Sequence, residues 1–197
     1  MRPFLKVRQS LPIALVVALA VALLLPAGAT SLPVPEIAGG TGLGLPLALF
    51  IPVVIAIALV SGLSAGDPQL EAVAARPLQR IDAAFGAVVA FAALAMYALV
   101  WLAFGDAWSI FPLAAGRNAT GYIGLVLLAR PLVGSRLAGL LPVAVAIGVA
   151  VIGSHADGTP RWWAWPLAEA RDGFSWLAAL GMLLLGLAAT LLARPRE

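Results

Sequence analysis

Few residues in this chain can do chemistry, and their spacing narrows what that chemistry is. The densest polar run is Leu70-Glu71-Ala72-Val73-Ala74-Ala75-Arg76-Pro77-Leu78-Gln79-Arg80, set between two long apolar stretches. Just before it, Asp67-Pro68 reads as a helix start, because Asp caps a first turn and Pro fits inside it. A short helix from there, limited by Pro77, carries Glu71 and Arg76 about a turn apart. Such an insert suits a groove on a soluble partner. It also suits a charged linker that does no more than set topology. Arg117, inside Gly116-Arg117-Asn118, interrupts another apolar run. An arginine within a membrane span is costly and marks a pathway or interface site by default. It can equally snorkel to the outer boundary, and the residues leave both open.

The remaining polar residues exclude more than they propose. His155 and Asp157 stand close together, but one His and one Asp fall short of the three or four ligands a metal needs. Ordinary loop polarity is expected there. Asp82 is the one acid near an apolar segment on the side of the polar insert, and a proton relay needs several. Glycines 39, 40, 42 and 44 precede no G-K-[ST] and read as a connector, so this chain has no phosphate loop of its own. There is no H-E-x-x-H and no cysteine. The chain is therefore not expected to be an enzyme, and no catalytic residue, metal or cofactor is assigned to it.

The elements that position these residues are membrane spans. Apolar residues make up 62% of the 197 and charged residues 11%, far from the half and quarter of a soluble domain. The expected fold class is an all-α integral membrane protein, a single transmembrane domain over 1–197. Six spans fit the apolar runs, at 11–28, 45–64, 83–104, 108–130, 137–153 and 173–193, with a cytoplasmic loop at 66–81. Placing both termini inside puts nine of the twelve basic residues in the cytoplasm, as the positive-inside rule requires. All six tryptophans then fall at outer ends, where indole rings anchor at the headgroups; residues 162–165 are the densest group. Ala27-Gly28-Ala29 resembles a signal-peptidase site, but retention of the first segment as a true span is expected. Small residues from Gly134 to Gly139 and from Gly181 to Gly186 permit close helix packing. The arginine-rich, alanine-rich composition points to a bacterial protein of the inner (plasma) membrane.

The pattern L-E-x-x-x-x-x-P-x-x-R followed by a span resembles the cytoplasmic loop between spans two and three of type-2 ABC transporter permeases. Leu70, Glu71, Pro77 and Arg80 match in spacing; Gln79 replaces the usual Ser, and a following Gly-Lys is half present as Gly86-Ala87. Six spans with both termini inside are also similar, and Met1 to Ser10 is comparable to an abbreviated N-terminal elbow. The resemblance implies the transmembrane subunit of an exporter for a hydrophobic or amphipathic substrate. It implies two partners in the bilayer complex: an ABC ATPase subunit holding ATP-Mg, and a second permease subunit, identical or related. The residues 67–80 would form the coupling helix, with Asp67, Leu70, Glu71, Arg76, Pro77 and Arg80 at the partner contact. No nucleic-acid partner is expected. A non-transporting scaffold and a small ion-coupled carrier are the competing expectations.

Overall fold

The computed structural model describes residues 9–27, 30–34, 43–65, 78–104, 111–155 and 157–193. Among them are six α-helices: α1 (Ser10–Ala27), α2 (Ile51–Ser64), α3 (Leu78–Phe104), α4 (Phe111–Val133), α5 (Leu140–Ile152) and α6 (Gly173–Leu192). Two strands, β1 (Ser31–Val34) and β2 (Leu43–Pro46), pair antiparallel with Ser31 opposite Pro46 and Val34 opposite Leu43. The sequence reads this stretch as a featureless connector. The ladder instead continues directly into a 3-10 turn at Leu47–Leu49, so α2 begins later than the expected span.

Helix starts follow local chemistry. Pro52 and Pro112 lie in the first turns of α2 and α4, where a missing N–H costs nothing. Asp172 caps α6: its Oδ2 accepts from the Ser175 backbone N–H at 2.7 Å. α3 begins at Leu78, directly after Pro77, so Arg80 lies in its first turn rather than in a loop.

α4 is the organising element. Every residue from Ala114 to Leu127 is buried, on all sides of the helix. α2, α3, α5 and α6 pack around it, and α1 packs on α2 and α3. Enclosure explains its composition. The other helices shield α4, so its polar groups need partners within the protein rather than compatibility with an apolar solvent.

The closest approach is between α4 and α6. A Cβ on Gly186 would strike the carbonyl oxygen of Gly124, and one on Gly124 would strike the backbone of Met182 and Leu183. Thr190 Oγ1 then donates across the interface to the Leu127 carbonyl at 3.2 Å, and within its own helix to Gly186 at 2.9 Å. Of the small residues the sequence singles out, Gly186 makes this contact, whereas Gly181 faces open space.

Among the described residues four segments are long and apolar enough to cross a membrane: Ser10–Ala27, Leu47–Ser64, Leu78–Phe104 and Gly173–Leu192. α5 has 13 residues, about 20 Å at 1.5 Å per residue, against a hydrocarbon core of about 30 Å. Large apolar side chains face outward on most helices, including Leu15, Phe91, Leu177 and Leu184. An outside this apolar is compatible with a membrane location.

Candidate functional site

Four of the six buried polar residues that are described, Asp82, Arg117, Asn118 and Ser175, gather into two nodes, one toward each end of α4. Arg117 and Asn118 form the first. Arg117 is 0% exposed and spends all five guanidinium N–H groups inside the protein. Nε donates to Asn118 Oδ1 at 3.2 Å. One terminal nitrogen donates to the Glu169 carbonyl at 2.8 Å and to Ser175 Oγ at 2.6 Å. The other donates to the carbonyls of Pro166 at 3.3 Å and Ala168 at 3.0 Å. Asn118 Nδ2 reaches Leu49 O at 3.3 Å and Pro166 O at 3.0 Å. Two adjacent residues on one helix thus hold the 3-10 turn before α2, the segment 165–169 and the start of α6.

Local chemistry makes this economical. The 3-10 turn Trp165–Leu167 and the residues after it leave carbonyls without ladder partners, and a planar fork of donors satisfies several at once. Ser175 Oγ accepts from Arg117 while donating to the Asp172 carbonyl at 2.7 Å, so the α6 cap and the arginine share one hydroxyl. Trp165 lies beneath this segment, its ring 5.6 Å from that of Tyr122 and seated over Gly121, where a Cβ would strike it. Trp176 Nε1 donates to Ala170 O at 2.8 Å.

These placements sort the expected residues. Arg117 neither reaches the surface nor holds a donor in reserve for a ligand. The tryptophan group divides: Trp162 is 80% exposed and free to sit at an interface, but Trp165 is a core residue. Beside them a hollow of about 340 Å³ is lined by Arg161, Trp162, Glu169, Asp172 and Phe174. His155 and Asp157 belong to a tight turn closed by a Ser154–Pro160 bridge, with Gly158 at φ 83°. Asp157 Oδ1 accepts from the Thr159 hydroxyl at 2.6 Å and backbone N–H at 2.9 Å, and these bonds hold its carboxyl below the usual carboxylate range. Among the described residues no group of three or more His, Cys, Asp or Glu forms a metal cage.

The second node joins α3 and α4 at the opposite end. Asp82 Oδ2 lies 2.6 Å from an Arg130 terminal nitrogen, with the aspartate side chain 2% exposed. Arg130 Nε also donates to Ser135 Oγ at 3.2 Å. Nearby in the fold, Gln79 Nε2 reaches the Ala193 carbonyl at 3.5 Å, linking the start of α3 to the end of α6. Of the expected partner-contact residues, Arg80 is on the exposed surface of this same first turn. Asp67, Leu70, Glu71, Arg76 and Pro77 lie outside the described residues.

No protein-family model, curated protein or solved structure matches this chain. Function therefore rests on the residues themselves. Sequence reasoning missed three participants. Asn118 and Ser175 carry no motif for bonding to Arg117. Arg130 reads as a topology-setting charge, and only the helix pairing reveals Asp82 as its partner. One signal was available: Asp172 and Ser175 stand at capping distance just before an apolar run.

Proposed function

We propose that the chain is the membrane-spanning subunit of an ABC exporter of the type-2 permease kind, moving a hydrophobic or amphipathic substrate. ATP-Mg would be bound and hydrolysed on a separate ATPase subunit, and a second permease subunit would complete the pathway. The observation that carries this proposal is the spacing of Leu70, Glu71 and Pro77 ahead of the 27-residue helix α3 and of Arg80 in its first turn.

The Asp82 node gives that loop something to act on. The segment 66–77 enters α3 at Leu78, and the first turns of α3 are tied to α4 through Asp82–Arg130 and to α6 through Gln79. Force received at the loop would pass to the central helix through a charged contact rather than a loose linker. ATP binding would drive transport to the extent that the ATPase seats differently on two permease conformations. On this proposal the end carrying Arg80, Arg130 and Arg136 is cytoplasmic, by the positive-inside rule. The Arg117 end then faces outward, with segment 165–172 latched across it. An ion-coupled carrier within one chain has less support, because Asp82 is engaged by Arg130 and every Arg117 donor is spent.

Affinity purification of the tagged chain from its native membrane tests the proposal. An ATP-hydrolysing subunit should co-purify with the wild type. Its yield should fall about tenfold in Glu71→Arg and Pro77→Ala, the equivalent of about 1.4 kcal/mol of binding. Retention of an ATPase and of efflux in both variants would refute the coupling assignment. Membrane insertion with no ATPase and no efflux would favour the scaffold.

A further inference from the structure

An apolar groove runs between α1 and α3, starting where both helices start. Ser10, the first residue of α1, and Ile81, in the first turn of α3, line the same groove of about 470 Å³. Apart from Ser10 its walls are apolar. On α1 the wall runs to Val17, about 10 Å at 1.5 Å per residue; on α3 it runs to Met96, about 22 Å. The side enclosed by both helices, about 10 Å, therefore fits within one leaflet's share, about 15 Å, of a ~30 Å hydrocarbon core. A partner helix would need a groove running the full thickness. An acyl chain needs one leaflet.

Charge selects the lipid. Arg80 stands four residues before Ala84 and eight before Val88, both exposed groove residues, so it continues their stripe on α3 by one turn. That places a cation at the helix-start end of a groove whose lining carries no charge. In sequence, Arg2, Lys6 and Arg8 also precede α1.

We propose that this groove holds one acyl chain of an anionic phospholipid from the leaflet at the Asp82 end, with Arg80 facing its phosphate. The assignment rests on membrane placement alone and not on docking of an ATPase. The driving force combines burial of methylenes, each of which favours the apolar groove, with attraction of the headgroup to Arg80.

Native mass spectrometry of the isolated chain, released from micelles containing phosphatidylglycerol and phosphatidylcholine with identical chains, tests it. One phosphatidylglycerol per chain should be retained, about fivefold over phosphatidylcholine, the value of one arginine near an anionic headgroup. Arg80→Gln should bring the two lipids level. Ala84→Phe should expel both; Ala92→Phe, at a second exposed groove position, serves if the first variant does not fold. Equal retention of the two lipids by the wild type, or unchanged retention in the filled variants, overturns the proposal. The chain has no cysteine, so Ala84→Cys supplies a lone thiol in the groove. A disulfide-linked dimer through it would assign the groove to a second copy and overturn the lipid. Loss of lipid retention with ATPase association intact would leave the proposed function standing.

Discussion

Arg117 shows how far one side chain can organise a fold. Its acceptors are three carbonyls, one amide oxygen and one hydroxyl, most of them around fifty residues away in sequence. Arg117→Met would remove the donor to the Ala168 carbonyl, while the carbonyls of Pro166 and Glu169 keep Asn118 Nδ2 and the Asp172 N–H, so the cost is about 1–3 kcal/mol for the one buried acceptor left unsatisfied. Arg117→Lys keeps the charge but offers three donors in place of five, so partial rescue is expected. Thermal unfolding in detergent should rank wild type above Arg117→Lys above Arg117→Met. Protease cleavage within 160–172 should rise in the same order. Equal melting and equal cleavage in all three would mean that the latch contributes nothing. The sequence shows an arginine in an apolar run, but backbone carbonyls leave no signature in it. A satisfied buried arginine and one lining a pathway therefore look alike until the segment 165–169 is seen folded over α4.

At the scale of the helix, the α4–α6 contact separates glycines that the sequence treats alike. Gly186→Ala places a methyl group against the Gly124 carbonyl and should cost about 1–3 kcal/mol by overpacking. Gly181→Ala meets no atom within 4 Å and should change stability by about 0.5 kcal/mol or less. Chemical or thermal unfolding of the two variants checks the contrast; equal effects would show that the close crossing is not a source of stability. The existence of the helices was legible, because runs of apolar residues ended at Pro, Gly and charge. Their starts were less so. α3 begins at Leu78 rather than near residue 83, because Gln79, Arg80 and Asp82 are polar yet find a carbonyl, the surface and Arg130 respectively. The β1–β2 pair was hidden by Pro33, Pro46 and the intervening glycines, which argue against strands until the two edges pair.

The whole molecule has an apolar exterior around a helix that is itself rather polar. Hydropathy finds the four segments that can cross a membrane and underrates α4, whose neighbours take its place against the surroundings. Its two polar nodes differ in kind. The Arg117 node closes one end through backbone carbonyls, whereas the Asp82–Arg130 node braces the other at the start of α3. That difference is what an ATP-driven permease would use: a fixed cap at one end and a charged lever at the other. The candidate coupling residues were legible only as spacing, since five of the six lie outside the described residues. The central claim is that this insert seats in an ATPase. A photo-crosslinker on Glu71→Cys, the lone thiol of an otherwise cysteine-free chain, tests it in native membranes, with the exposed apolar position Leu177→Cys as control. The account predicts an adduct with a Walker-motif ATPase from position 71 and none from position 177. Crosslinks from position 71 to lipid alone, or to proteins without a nucleotide site, would contradict it.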